Sequence, residues 1–411
     1  MTFLKKLTIC CATASILITT SAAIAESQTP TPNATAAQAS QPMIIPDAPS
    51  LDAKAYVLLD PTTGKVIAQK NADVKREPAS LTKLMSLYLV FSALNNGTIN
   101  LDDKVRISKD AWHTGGSRMF IKAGEEVPVN QLIQGVIVDS GNDATTALAE
   151  FVAGSTSSFV NMMNTQAQRL GMKNTHFMNP TGLPHKDHYT TAMDLATLAR
   201  AIINDFPEEY HYFSEKWFTY NGIKQPNRNR LLWRFEGADG LKTGHTDEAG
   251  FCLISSAKKD DTRFISVLLG AATDNERADD SIRLLTYGFR FYQTKKVYDA
   301  NTPVSTQRVW GGEDDTVQLG LAKPLFVTVP TGEMHNIKTQ ITLQDDIKAP
   351  VKKNKAYGKI DVLLNGKTIA TESLIALNSN KEGGIVHQLT DSVSLSIHHL
   401  LNHNSDEDKK S

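Results

Sequence analysis

A serine and a lysine stand three residues apart at the head of an apolar run, in the stretch REPASLTKLMSLYLVFSAL. In a helical turn, this spacing brings Ser80 and Lys83 onto the same face. A serine hydroxyl becomes a good nucleophile when a base removes its proton, and a lysine in a dry site can be that base. The pair therefore indicates nucleophilic catalysis, with the free N–H groups of a helix N-terminus available to stabilise negative charge.

The Ser-x-x-Lys spacing is a weak signal by itself, because the chain contains it elsewhere. Ser255 and Lys258 have the same spacing, as do Ser256 and Lys259, but both pairs fall in a β-hairpin pattern without a buried helix behind them. The alternative for the first pair is an ordinary helix start that happens to carry a lysine. A catalytic interpretation therefore needs partner residues from other parts of the chain.

Two further motifs supply such partners. Each occurs once in the chain: Ser140-Gly141-Asn142 and Lys242-Thr243-Gly244. The first stands in a loop that leads into a helix, where helix capping is the alternative role. The second is expected at the head of a strand that continues to Cys252, where turn formation is the alternative. Together, in this order and in these contexts, the three motifs favour a serine acyl-transfer site.

The elements that must position these motifs are an antiparallel sheet and several helices. Hairpin patterns occur in AYVLLDPTTGKVIAQK and FCLISSAKKDDTRFISVLLGA, and the run after Lys83 is apolar on nearly all sides, which predicts a buried helix. Further helices are expected at 129–152, 158–170 and 191–204, and a closing helix in DDSIRLLTYGFRFYQ. This order predicts an α+β domain with helices packed on an antiparallel sheet.

Domain organisation follows from changes in composition along the chain. Residues 51–297 carry the α+β pattern, and residues 298–395 show short alternating runs and a two-residue Asn365-Gly366 turn, which predict a small all-β domain. Residues 26–50 are rich in Pro, Thr, Ala, Gln and Ser and predict a flexible linker. Residues 396–411 form a short tail.

The N-terminus predicts export. Residues 1–25 contain two lysines, an apolar stretch and an Ala-Ile-Ala end, which is the order of a secretory signal peptide. A single anchoring helix is the alternative, but the stretch is weakly apolar. After cleavage only Cys252 remains, so the mature chain forms no internal disulfide and depends on its core.

Composition excludes several classes of function. The 411 residues carry a net charge of −1, with 41% hydrophobic and 21% charged residues and no basic run, so nucleic-acid binding is not expected. His398, His399 and His403 lack a nearby acidic or cysteine ligand set, and no metal site or other cofactor is expected. Cys252 is expected to be a buried strand residue, and His185 and His188 to be polar loop residues.

These motifs are those of penicillin-binding proteins and class A β-lactamases. From about Ala53 to about Gly384 the chain resembles the low-molecular-mass penicillin-binding proteins that are D-alanyl-D-alanine carboxypeptidases. The resemblance includes NRLLW, DGLKTGHTDEAG, LLTYGFRFY and the following β-rich segment. It implies a penicillin-binding, β-lactamase-like α+β domain followed by a small all-β domain, and a periplasmic enzyme that removes the terminal D-Ala from peptidoglycan stem pentapeptides and is inhibited by β-lactams.

The resemblance also implies a role for each residue of the motifs. Ser80 is implied as the nucleophile, Lys83 as its base and Ser140 as a proton relay to the leaving amine. Asn142 is implied to hold both the peptide amide and Lys83, while Lys242, Thr243 and Arg277 are implied to bind the terminal carboxylate. Gly244 is implied to allow close approach of the substrate backbone, and Arg228 is implied to lie near the site entrance. The backbone N–H groups of Ser80 and His245 are implied to form the oxyanion hole. Lys242 is further implied to keep Lys83 neutral.

Two alternatives remain open, and a third, a class A β-lactamase, is not favoured. A class A β-lactamase needs a glutamate to activate the deacylating water, and the chain has no glutamate between Phe151 and Pro207. The others are a catalytically weak penicillin-binding scaffold, whose β domain binds other cell-wall proteins, and a DD-endopeptidase. Relatives often end in an amphipathic helix on the inner membrane, but the apolar part of this tail is short, so only weak peripheral association is expected.

Overall fold

The computed structural model describes residues 44–344, 346–385 and 388–395. The expected signal peptide, most of the linker, the three tail histidines and the expected tail lie outside this part of the chain. The predicted α+β fold with a following all-β sheet is confirmed. Within the described residues, the longest helices are too short or too polar to cross a membrane.

The strands, numbered along the chain, are β1 (Ala55–Leu59), β2 (Val66–Lys70), β3 (Lys104–Arg106), β4 (Glu126–Pro128), β5 (Trp217–Tyr220), β6 (Ile223–Pro226), β7 (Ala238–Thr246), β8 (Gly250–Lys259), β9 (Thr262–Ala271), β10 (Tyr292–Tyr298), β11 (Pro303–Arg308), β12 (Thr316–Gly320), β13 (Leu325–Pro330), β14 (Ile337–Leu343), β15 (Ala356–Leu364) and β16 (Lys367–Ala376).

The helices are α1 (Lys83–Asn95), α2 (Lys109–His113), α3 (Val129–Ile137), α4 (Asn142–Ala153), α5 (Thr156–Arg169), α6 (Ala192–Asp205), α7 (Leu231–Arg234) and α8 (Asp274–Phe291). Short 3₁₀ turns cover Ala79–Thr82, Glu209–Ser214 and Glu333–Asn336. The expected helix at 129–152 is interrupted, because α3 and α4 are separated by the loop that holds Ser140.

The central sheet has the strand order β2-β1-β9-β8-β7, and every neighbouring pair is antiparallel. Both expected hairpins, β1–β2 and β8–β9, are present. Neighbouring residues Val57 and Leu58 belong to two separate apolar clusters, because successive side chains of a strand point to opposite faces. Helices α1 and α6 lie in one cluster and α8 in the other, so the sheet is buried on both sides.

Helix α1 is buried around its whole circumference, as its sequence predicts: ten of its 13 residues are buried. The 3₁₀ turn Ala79–Thr82 comes directly before it, with Pro78 at the head of the turn. Ser80 therefore lies in the 3₁₀ turn rather than in the α-helix, while Lys83 is the first residue of α1. This refines the expectation that both residues occupy one α-helical N-terminus.

The second sheet has the order β11-β12-β16-β15-β14, and β10 pairs with β13. The expected hairpin turn joins β15 to β16, with φ of 51° at Asn365 and 80° at Gly366. Two consecutive left-handed residues are what a two-residue turn of this type requires. Strand β10 begins at Tyr292, and residues 388–395 are helical. The expected domain limits at 297/298 and 395/396 stay predictions.

Candidate active site

The first motif forms a hydrogen-bonded pair. Lys83 Nζ donates to Ser80 Oγ at 2.9 Å and to the Thr181 carbonyl oxygen at 2.8 Å. The Lys83 side chain has no exposed surface, since it starts the helix that runs through the core. A serine hydroxyl and a lysine amine in direct contact can exchange a proton without an intervening water.

The second and third motifs form another pair across a long sequence distance. Lys242 Nζ donates to Ser140 Oγ at 2.9 Å and to the Thr243 carbonyl oxygen at 3.2 Å. Lys242 is only 2% exposed. The loop between α3 and α4 and the strand β7 thus bring a second hydroxyl–amine contact to the site.

Both serine-bearing segments contain a residue with a left-handed backbone. Ser140 has a φ of 58°, and Ala79, which directly precedes Ser80, has a φ of 48°. A left-handed backbone at a residue other than glycine costs roughly 1–3 kcal/mol and persists only where the surroundings enforce it. Both strained residues therefore hold a hydroxyl-bearing segment in one particular orientation.

A cavity of about 130 Å³ connects the two pairs. Seven of the ten residues expected at the site line it: Ser80, Ser140, Arg228, Thr243, Gly244, His245 and Arg277. Lys83 and Lys242 lie beneath the two serines to which they donate. Ser117 also lines the cavity, and the sequence offered no signal for it because it belongs to none of the motifs.

Burial dominates the protonation of both lysines. The pKa of Lys83 falls from 10.5 to about 7, first because of burial and next because of Arg228, while the Asp143 carboxylate opposes the change. Burial also lowers the pKa of Lys242 well below its ordinary value, and Lys83 and Arg228 lower it further. Burial is the largest cause of the lowered Lys83 pKa, and Arg228 is the neighbouring charge that lowers it most. The resemblance implied only that Arg228 lies near the site entrance.

The expected position of Lys242-Thr243-Gly244 in its strand is wrong. The motif lies within β7 itself, which ends at Thr246, and Cys252 lies on the next strand, with Gly244 opposite Cys252. The mistake arose because a short turn at 247–249 separates two strands whose sequences read as one run. Cys252 is buried, as expected, and burial raises its pKa to about 11.

Gly244 packs against the turn that carries the first serine. A methyl group added there would lie 3.0 Å from the Pro78 carbonyl oxygen and 3.2 Å from Leu81 Cγ. The close approach at this glycine is thus made by the 3₁₀ turn of the protein itself. Approach of a substrate backbone to the same strand stays a prediction.

Asn142 opens α4 beside Ser140. Its Nδ2 donates to the Gly115 carbonyl oxygen at 2.6 Å, while its buried Oδ1 has no hydrogen-bond partner. The side chain therefore contacts the 115–117 loop, whereas the resemblance implies a contact with Lys83, whose amine donates to Ser80 and Thr181 instead. The vacant acceptor is suited to an amide N–H of a bound peptide.

The two arginines differ in their surroundings. Arg277 is 8% exposed, donates to the Gly244 carbonyl oxygen at 3.1 Å and forms an ion pair with Asp274. Burial lowers its pKa and Asp274 opposes that change. Arg228 lines the same cavity and follows β6 by two residues. Both guanidinium groups place positive charge where a carboxylate can enter.

A buried histidine supports the turn between Ser80 and Lys83. The sequence interpretation missed this role. His188 is 3% exposed, and its Nε2 lies 2.9 Å from Thr82 Oγ1 in the turn between Ser80 and α1. His188 lies in a loop, as expected, but it is buried, whereas His185 is exposed. Burial lowers the pKa of His188 to about 4, so the ring is neutral at neutral pH.

The loop that holds His188 also holds the acceptor of Lys83. Asn179 Oδ1 accepts from the backbone N–H groups of Thr181 and Gly182 at 3.2 and 2.8 Å. These bonds orient the Thr181 carbonyl toward the lysine. Among the described residues, no group of His, Cys, Asp and Glu is arranged to hold a metal ion.

Comparison with known proteins identifies two matching families. Residues 40–273 match the family described as D-alanyl-D-alanine carboxypeptidase, and residues 292–382 match the penicillin-binding protein 5 C-terminal domain. The D-alanyl-D-alanine carboxypeptidase DacC of Escherichia coli K12 is 46% identical over 360 residues, which cover 86% of this chain and 90% of DacC. DacA of the same organism is 43% identical over 364 residues, with 87% and 90% covered.

Solved structures give the same result. Penicillin-binding protein 5 from Haemophilus influenzae has a TM-score of 0.78 at 42% identity, with 82% of this chain and 99% of that chain covered. Penicillin-binding protein D2 from Listeria monocytogenes in its ampicillin-bound form has a TM-score of 0.55 at 32% identity, with 59% of this chain and 100% of that chain covered. The first of these likenesses spans both sheets, whereas the second is confined to part of the chain.

Proposed function

The chain belongs to the D-alanyl-D-alanine carboxypeptidase family, and on that premise we propose that it releases the terminal D-Ala of peptidoglycan stem pentapeptides through an acyl-enzyme on Ser80. The protein is a serine-type carboxypeptidase. The observation that carries the proposal is the cavity in which the contacts Ser80–Lys83 and Ser140–Lys242, each 2.9 Å long, meet.

The first step is acylation. Neutral Lys83 takes the proton of Ser80 while Oγ attacks the carbonyl carbon of the penultimate D-Ala. The oxyanion accepts hydrogen bonds from the backbone N–H groups of Ser80 and His245. The C–N bond then breaks, and the proton that Lys83 took is relayed through Ser140 to the departing amine of the terminal D-Ala, which leaves Lys83 neutral again.

Substrate orientation depends on the remaining polar groups. The terminal carboxylate meets Thr243, the Lys242 amine as a hydrogen-bond donor, and the positive charge of Arg277 and Arg228. The vacant Oδ1 of Asn142 accepts the N–H of the peptide, in agreement with its lack of a protein partner. A D-Ala terminus with a free carboxylate is thereby preferred over an internal peptide bond.

Hydrolysis of the ester completes the cycle. Water attacks the acyl carbon while Lys83 takes one of its protons. The C–Oγ bond of the ester then breaks, and Lys83 returns that proton to Ser80 Oγ, which restores the hydroxyl and releases the shortened peptide as its carboxylate. A β-lactam enters the same cavity and acylates the same serine, in line with the ampicillin-bound relative. Its leaving group stays tethered to the acyl moiety, so deacylation is slow.

The decisive experiment measures D-Ala release from a soluble pentapeptide by wild type and Ser80→Ala. We expect turnover by wild type and none by the variant, and circular dichroism checks that the variant is folded. No release by wild type supports the scaffold alternative instead. Full release by Ser80→Ala refutes the assignment of the nucleophile.

Substrate range and location complete the proposal. Cleavage of dimeric muropeptides faster than D-Ala release from monomers supports the endopeptidase alternative. We further propose that residues 1–25 direct export to the periplasm, that the tail associates at most weakly with the inner membrane, and that the β domain binds other cell-wall proteins. Fractionation of full-length protein and of protein truncated after residue 395 tests the first two of these, and affinity capture with and without the β domain tests the third.

A further inference from the structure

Two exposed indole rings meet at the surface, on either side of the segment that contributes Arg228 to the cavity. The side chains of Trp217 and Trp233 are 51% and 43% exposed, and their ring centroids are 6.0 Å apart with an interplanar angle of 77°. Large aromatic side chains are usually buried, so an exposed pair of them indicates a contact surface. We call these two residues the indole pair.

The indole pair is attached to the segment that enters the cavity. Trp217 lies opposite Pro226 in the β5–β6 hairpin, and Arg228, which lines the cavity, follows two residues later. Two residues of extended chain span about 7 Å. Trp233 stands five residues after Arg228, in α7. Both rings thus flank the chain segment that carries Arg228.

Hydrogen bonds hold this segment in place. The backbone N–H of Asn227 donates to the Lys216 carbonyl oxygen at 2.8 Å, and Asn229 Nδ2 donates to the Gly240 carbonyl oxygen at 2.8 Å. Asn227 and Asn229 are both buried. The rings are therefore presented on a fixed support, which lowers the entropic cost of binding to them.

The surroundings of the rings are polar and charged. Lys224 Nζ lies 4.9 Å from the Trp217 ring centroid, and exposed arginines Arg230 and Arg234 flank Trp233 on α7. Their partners are the carboxylates of Asp274 and Asp279. Such a surface suits a ligand with both C–H and hydroxyl groups better than it suits the acyl chains of a membrane.

We infer that the indole pair is a subsite for the glycan strand of peptidoglycan, on which a pyranose ring packs against the indole faces while the attached stem peptide occupies the cavity. This inference rests on the proposed function. The faces of pyranose rings carry C–H groups and their edges carry hydroxyl groups, which matches aromatic rings bordered by charges. The stem peptide is covalently attached to the glycan strand, so a sugar at the indole pair and a peptide in the cavity belong to the same substrate molecule.

The test compares two substrates of the same cavity. D-Ala release is measured from insoluble pentapeptide-rich peptidoglycan and from a soluble pentapeptide, for wild type, Trp217→Ala and Trp233→Ala. We expect kcat/KM on the polymer to fall about tenfold, mainly through KM, with the soluble peptide changed less than twofold. Trp112→Ala is the matched control, because Trp112 is 40% exposed, stands on α2 and has its ring contact with His113.

A binding measurement separates this inference from the proposed function. Peptide-free glycan strands are titrated into Ser80→Ala protein and its Trp217→Ala derivative, and binding is followed by isothermal titration calorimetry. Binding that is lost with Trp217 supports the subsite even if the enzyme shows no turnover. Equal losses on both substrates, no loss on the polymer, or binding of lipid vesicles in place of glycan overturns it.

Discussion

The pH dependence of Ser80 acylation tests the role of Lys83 most directly. Only the neutral amine can take the serine proton. With an ordinary pKa of 10.5, about three lysines in ten thousand are neutral at pH 7, whereas a pKa of about 7 leaves about half of them neutral. Burial and Arg228 therefore increase the reactive population roughly a thousandfold.

The sign of the dependence follows from this pKa. Below about pH 7 the fraction of neutral Lys83 falls tenfold per unit, and above it the fraction levels off. We expect the second-order rate constant for acylation by a fluorescent penicillin, measured by stopped flow between pH 5 and 9, to follow the same curve. The penicillin carboxylate stays ionised throughout, so the curve reports the protein.

Two variants identify the titrating group. Arg228→Gln removes a positive charge that disfavours the proton on Lys83, so the midpoint moves to higher pH. Arg234→Gln is the matched control, because this arginine is exposed and paired with Asp279. Burial also raises the pKa of Asp139 to about 7, and Asp139→Asn therefore shows whether that carboxyl contributes to the curve.

A rate constant that is flat from pH 5 to 9 would refute the reasoning, as would an inflection near 10. A midpoint that stays in place or falls in Arg228→Gln would refute the electrostatic part alone. A curve that disappears in Asp139→Asn would transfer the titration to that carboxyl.

The other predictions concern three supporting residues. Lys242→Ala removes the donor to Ser140 and is expected to lower D-Ala release about a hundredfold and to shift its pH profile; unchanged values contradict the assigned role. His188 stays neutral in the folded protein down to about pH 4, whereas in the unfolded chain it gains a proton below about pH 6.5. The contribution of His188 to the free energy of unfolding therefore falls by roughly 3 kcal/mol as the pH is lowered from 6.5 to 4. Urea unfolding at pH 7 and 4.5 should show a smaller loss of unfolding free energy for His188→Gln than for wild type, and an equal loss argues against a neutral buried His188. Gly244→Ala forces its methyl group toward the Pro78 carbonyl oxygen and should cut the rate of penicillin acylation at least tenfold. Labelling with a fluorescent penicillin measures that rate, and circular dichroism checks that the variant is folded.

Local patterns in the sequence determined the parts of this protein that depend on near neighbours. The hairpins β1–β2, β8–β9 and β15–β16 follow from β-rich runs around turn residues, and the buried helix α1 follows from a run that is apolar on nearly all sides. The residue types and order of the three motifs were sufficient to indicate serine acyl transfer. Each of these signals is contained within a few consecutive residues.

Only the tertiary structure decided which groups meet. The Ser140–Lys242 contact joins residues 102 apart and the Thr82–His188 contact joins residues 106 apart, and the sequence holds no record of such distances. The same is true of the electrostatic influence of Arg228 on Lys83, which depends on burial and proximity together. Side-chain types are local properties of a chain, whereas pKa values and contact partners are properties of the folded core around them.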